Sequence, residues 1–218
     1  ASVMIDGLAL GVLPRLAARE SGRLTLIALI HHPLAEETGL DPAERARLFE
    51  SERDALGQVH HVVATSAFTA QGLVDYGVTQ DHLTVIPPGV EPAELAVGSG
   101  RAAPALLCVA TLTPRKGHDV LLNALSVLNA RPWTLDLVGS ETLDPHHSRQ
   151  VRRLVSALGL DERVTFRGEL SGTALSAAYH TSDLFVLASH YEGYGMVLTE
   201  AVARGLPVVA TAGGAVPD

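Results

Sequence analysis

The sequence predicts an α/β fold of two Rossmann-like domains, with parallel sheets facing across a cleft. Three observations predict it. Short runs rich in Val, Leu and Ile alternate with helical patterns along the 218 residues. The runs are apolar at successive positions, as strands covered on both faces of a parallel sheet require. A Pro- and Gly-rich stretch, PPGVEPAELAVGSGRAAP at 87–104, interrupts the alternation once, and Pro and Gly punctuate structure. The expected domains are 1–95 and 105–218, with 96–104 as linker.

In chain order, a helical pattern at 7–19 precedes the apolar run LTLIALI at 24–30. A helical pattern follows at 41–57, then the strand HHVVAT at 60–65, a helix at 67–76 and the strand LTVIP at 83–87. Beyond the linker the strands are ALLCVA (105–110), TLDLVG (134–139), RVTFRG (163–168), LFVLAS (184–189) and PVVAT (207–211). Helical patterns at 117–130, 148–158, 171–181 and 196–204 separate them.

Composition narrows the function. At 47% hydrophobic the chain can bury a sizeable core, and only 4% aromatics suits helices alternating with buried strands. A net charge of −8 carries no basic footprint, so nucleic acid is not an expected partner. The one cysteine, Cys108, lies in ALLCVA and reads as a small buried hydrophobe. That fits a reducing compartment, and a cytoplasmic location is expected. The longest apolar run has seven residues, against roughly 20 for a membrane span.

In open α/β sheets ligands bind beyond the carboxyl ends of strands. Polar or glycine-bearing segments occupy those positions here, at His31-His32, Ser66, Thr111 to Lys116, Gly139-Ser140, Gly168 and Ser189 to Gly195. The most informative is SHYEGYGMVLTEA at 189–201. Gly193 and Gly195 allow a tight turn, and the amides of Met196, Val197 and Leu198 open a helix. A helix N-terminus with unpaired amides is a phosphate site. Glu192 and Glu200 bracket it with seven residues between. A second segment, TLTPRKGHD at 111–119, sets Arg115 and Lys116 before a helix, where two cations can neutralise a diphosphate. A third, LIHHPLAEETG at 29–39, ends a buried strand with histidines. Each also reads as a solvated loop when taken alone. A metal at His31-His32 is not expected, because adjacent residues on extended chain point to opposite faces. The remaining histidines read mostly as surface or cap residues, and Trp133 as packing. The sequence carries no G-x-G-x-x-G, no G-x-x-x-x-G-K-[ST] and no G-x-S-x-G.

Together these segments resemble retaining GT-B glycosyltransferases, in particular glycosyltransferase family 4. EGYGMVLTEAVARGLPVVAT matches the family's E-x7-E signature, and LCVATLTPRKGHDVLLNAL its basic phosphate segment. VIPPGVEP resembles the interdomain stretch, and LIHHPLAEETG the acceptor-domain histidine region. The resemblance implies a nucleoside-diphosphate sugar donor, an unidentified hydroxyl acceptor and retention without a required metal or other cofactor. It implies that Glu200 holds the nucleotide ribose and that Arg115 and Lys116 bind the diphosphate with amides near Met196 and Val197. Glu192 and the turn Gly193, Tyr194, Gly195 would touch the sugar. His31, or else His32, would be the cleft histidine, and Gly168 and Glu169 would meet the base. Peripheral membrane contact is expected through an N-terminal part ahead of Ala1; the oligomeric state is left open. The chain departs from the family at Ala110-Thr111, where many members carry Gly-Arg, and at ASVMIDGLA, which does not match the strand and glycine-rich loop that open the family's acceptor domain; the resemblance therefore implies an incomplete N-terminal domain. Two further readings stay open: a sugar-nucleotide-binding fragment without turnover, and a sugar-nucleotide epimerase.

Overall fold

The computed structural model describes residues 1–37 and 39–218; Thr38, within the expected 29–39 segment, lies outside the described residues. The chain divides into two compact units. The first comprises 1–88, 192–194 and 214–218; the second comprises 89–191 and 195–213.

The first unit holds four parallel strands in the order β1-β2-β3-β4: Ser2–Asp6, Thr25–Ile30, His61–Ala64 and Leu83–Val85. The first strand was not expected. It is an edge strand with mostly exposed side chains, so it lacks the long apolar run that marks the others. It pairs with β2 from Ser2↔Thr25 to Asp6↔Leu29. The single helix expected at 7–19 is two, α1 (Gly7–Leu10) and α2 (Pro14–Glu20). Pro14 has no N–H to give an interior helix turn and is tolerated at a first turn, so it starts a new helix. Asp41 caps α3 (Pro42–Leu56) by accepting from Glu44 N at 2.8 Å. Ser66 caps α4 (Ala67–Gly72), which continues into a 3-10 turn at Leu73–Tyr76. Leu26, Ile30, Val62 and Leu73 are among the core side chains. Each full burial of such a side chain contributes about 1.5–3 kcal/mol.

The second unit holds five parallel strands in the order β7-β6-β5-β8-β9. They are β5 (Ala105–Val109), β6 (Thr134–Val138), β7 (Val164–Gly168), β8 (Leu184–Leu187) and β9 (Val208–Ala210). The intervening helices are α5 (His118–Ser126), α6 (Pro145–Ala157), α7 (Gly172–His180) and α8 (Met196–Ala203). Helix α6 starts three residues before the expected 148, because Asp144 caps it by accepting from His147 N at 2.9 Å. The chain runs outward from β5 to β7 and then returns to the other side of β5, so strand order reverses between β5 and β8. Leu107, Leu122, Leu135 and Phe185 lie in the core and are fully buried. Cys108 and Trp133 are packed there as expected.

The expected boundary moves. Residues 96–104 are not a free linker but lie along the second unit. Ala96 N donates to Arg204 O at 2.8 Å and Val97 N to His180 O at 3.0 Å. Asp183 accepts from Ser99 N at 2.8 Å and Ala105 N at 2.7 Å. Those donors, Ala105 N–H first, hold its carboxyl below the usual carboxylate range. Among the described residues no helix is long and apolar enough to cross a membrane.

Candidate functional site

Two segments of the second unit meet at the point where strand order reverses, the place where open α/β sheets bind ligands. After β5 the chain forms a 3-10 turn at Pro114–Lys116 and enters α5 through Gly117. After β8 it runs through Ser189 to Tyr191 and enters α8 through Gly195. His190 N donates to Arg115 O at 2.8 Å, and Arg115 Nη1 donates to Tyr191 O at 3.0 Å. Gly117 has φ +59, and a Cβ there would lie 2.0 Å from Ala188 O. Only glycine lets the basic turn press on the end of β8.

Both helices therefore start at a left-handed glycine, and neither has a side-chain cap. The first turns of α5 and α8 follow neighbouring strand ends, and among the described residues no cap side chain bonds to them, the arrangement that favours an anion. Arg115 and Lys116, both half-buried, stand on the same turn. The other strand ends join the same rim. Ala110 N donates to Val138 O at 2.8 Å, and Gly139 N donates to Gly168 O at 2.8 Å. Glu169, next along, is exposed.

Glu200 lies on α8 and its Oε2 accepts from Tyr179 Oη at 2.9 Å. Tyr179 is fully buried, stacks on Phe185 at 5.8 Å and carries the Arg204 guanidinium over its ring at 4.6 Å. Burial, and then the Glu200 charge, raise its phenol well above the ordinary value, so it remains a donor. Sequence reasoning missed Tyr179, whose place in the 171–181 pattern marks it as packing. His118 and His147 are also corrected: they are not surface residues but 1% and 9% exposed, with ring centroids 6.5 Å apart. Burial pushes the His118 imidazole down to about 4, so it is neutral at pH 7.

The remaining predicted residues belong to the first unit. His31 Nε2 is 3.3 Å from Asp6 Oδ2, an acid at the end of β1 that also caps α1. The His32 ring pairs with Glu37 at 3.3 Å. Glu192 is buried, and its carbonyl accepts from Ala215 N at 2.8 Å. Gly193 packs against β2's end: a Cβ on it would sit 2.1 Å from His31 O. The Thr69 hydroxyl reaches both the His31 and Gly193 carbonyls at 3.2 Å. Thr69 was not anticipated; it faces inward from α4, capped by the expected Ser66. The Tyr194 hydroxyl donates to Pro88 O at 3.3 Å. The structure thus gathers Arg115, Lys116, Gly168, Glu169, Gly195, Met196, Val197 and Glu200 in one unit, and His31, Glu192, Gly193 and Tyr194 in the other.

Comparison with known proteins finds two family models, one for each part of the chain. The model described as "Glycosyl transferases group 1" matches residues 98–218, and that described as "Glycosyltransferase Family 4" matches 3–94. A mannosylfructose-phosphate synthase of Agrobacterium fabrum is 32% identical over 78% of this chain and 44% of its own length. A D-inositol 3-phosphate glycosyltransferase of Arthrobacter sp. is 30% identical over 89% of this chain and 51% of its own. The chain spans about half the length of these relatives. Among solved structures, Anabaena HepE in complex with UDP and glucose superposes with a TM-score of 0.82 at 20% identity, over 97% of this chain and 60% of that one.

Proposed function

Because the chain belongs to the glycosyl transferases group 1 family and has the α/β, two-sheet fold of GT-B enzymes, we propose that it forms the donor-handling part of a retaining glycosyltransferase. The enzyme transfers a hexosyl group from a nucleoside-diphosphate sugar to a hydroxyl acceptor. The observation that carries this is the clasp of the post-β5 and post-β8 loops, which sets two uncapped helix starts beside Arg115 and Lys116. The printed names of the relatives, and the UDP and glucose bound by the Anabaena protein, support it.

In this reading the diphosphate lies on the amides of Met196 and Val197, opposite Lys116 and Arg115. One Arg115 nitrogen already holds Tyr191 O, so the guanidinium braces the loop while its charge acts on the phosphate. Glu200, oriented by Tyr179 on Oε2, turns Oε1 to the ribose hydroxyls. Gly168 and Glu169 edge the base. For His31, Glu192, Gly193 and Tyr194 of the first unit and Gly195 of the second, a role toward the donor sugar rests on the family resemblance alone. The departing phosphate takes the acceptor proton as the glycosidic bond forms on the same face. The protein's contribution is then to stabilise negative charge on that phosphate with donors fixed in advance. Two side-chain cations and helix amides supply the charge that a metal would otherwise bring. For this chain alone, whose relatives are about twice its length, binding without turnover is the second reading.

A thermal-shift panel of nucleoside diphosphates tests the proposal, since binding raises apparent stability by mass action. Glu200→Ala is expected to weaken the preferred nucleotide about tenfold or more, as loss of bonds to a charged group costs roughly 1.5–3 kcal/mol. Lys116→Ala is expected to weaken the diphosphate more than the bare nucleoside. Full affinity in the first variant, or equal losses in the second, removes the assignment concerned.

A further inference from the structure

The first unit contains an acid that the proposed reaction does not use. Glu52, on α3, is fully buried. Its Oε2 accepts from Leu34 N at 2.8 Å, at the start of the Leu34–Glu36 turn that follows His31-His32-Pro33. Among the described residues its Oε1 has no hydrogen-bond partner. The preceding residue, Ser51, donates to Gly11 O at 2.7 Å, in the chain that follows β1 and α1. Adjacent residues of one helix thus tie down the segments leaving β1 and β2, which end in Asp6 and His31.

We propose that Glu52 is a positioning residue for the segment that carries His31, and that a proton on its buried carboxyl sets how firmly that segment is held. The unpartnered Oε1 accommodates the proton while Oε2 goes on accepting from Leu34. Ionised, the group gives Leu34 N–H a charge-assisted bond, about twice as strong as a neutral one. Ionised, it also leaves a charge in a dry site, and that burial cost outweighs the stronger bond, so the proton favours the closed turn.

Burial pushes the Glu52 carboxyl up to about 7, opposed by the Leu34 N–H and by His32. Other charged groups stand on the elements packed against α3. Glu36 is 3.9 Å from Arg45, and Glu20 of α2 is taken by Arg19 and Arg23. Arg15 of α2, and Asp75 and Tyr76 of the 73–76 turn, stand there too, with the Tyr76 ring 4.4 Å from that of Phe49 on α3; of the charged groups only His32 enters the balance on Glu52. Because burial raises the carboxyl, the closed segment keeps that proton more tightly than one opened to water; the hold is full below the ordinary glutamate value of about 4.3 and is lost as pH rises to about 7. Its effect on sugar transfer rests on the reading of His31 above; the dependence of the turn on Glu52 does not.

The test follows the 218-residue chain by carbon-13 carboxyl and nitrogen-15 amide NMR from about pH 5 to about pH 9. The Glu52 carboxyl is expected to titrate near 7, and the Leu34 amide to shift with the same midpoint. In Glu52→Gln, which keeps a neutral acceptor, the Leu34 shift disappears. A Glu52 midpoint among ordinary glutamates, at about 4.3, overturns the proposal. So does a Leu34 amide that stays still through the Glu52 midpoint, or one that titrates unchanged in Glu52→Gln. If that variant fails to fold, the two wild-type titrations decide, because a residue that only fills space gives no shared midpoint.

Discussion

Tyr179 places a buried hydroxyl 2.9 Å from a carboxylate at the candidate donor site. Its value is geometric: a phenol held protonated by burial fixes one oxygen of Glu200. Tyr179→Phe keeps the stacking on Phe185 and removes only that donor. We expect nucleoside-diphosphate affinity to fall roughly three- to tenfold, since one hydrogen bond is worth about 1 kcal/mol. Stability should change little, because Glu200 is not fully buried and water can replace the phenol. Unchanged affinity by calorimetry would leave Tyr179 as packing alone. Glu200 was legible in the sequence through its spacing from Glu192. Its partner was not, because the two residues are 21 apart and meet only when α7 packs beside α8. His118 and His147 escaped for a related reason: nothing in a polar residue's neighbours along the chain shows that two helix starts will bury it.

At the scale of elements, the basic turn depends on how closely it can approach β8. Gly117→Ala puts a methyl group 2.0 Å from Ala188 O at a φ of +59. Strain and overpacking each cost about 1–3 kcal/mol, so a loss of more than about 2 kcal/mol is expected in urea denaturation. Gly159→Ala is the control. Its φ is +67 but a Cβ there meets nothing within 4 Å, so only the conformational part should be lost. Equal effects of the two would mean that the close approach of the turn is not needed. The helices and inner strands were legible because their apolar runs are covered on both faces. Strand β1 was not, because an edge strand needs no such run. Pro14 was visible in the sequence but lay inside an otherwise continuous helical pattern, and packing decided that it starts a helix.

On the scale of the molecule, the described residues form two sheets and two cores. Trp133, the single tryptophan, is buried in the core of the second unit, so its fluorescence follows that unit's unfolding. A bound nucleoside diphosphate at about 100 times its Kd should stabilise the Trp133 transition by about 2.7 kcal/mol. No shift with any nucleoside diphosphate would count against a donor site in this unit. Amino-acid order alone determined the alternation of strands and helices, the parallel sheets, and the glycine, acid and cation segments at strand ends. All of these rest on neighbours within one or two turns of chain. The tertiary structure decided the strand order that puts β8 beside β5, the attachment of 96–104 to the second unit, and the partners Tyr179, Thr69 and Asp6. Those depend on contacts between distant residues, which burial and close packing select and which no local pattern encodes.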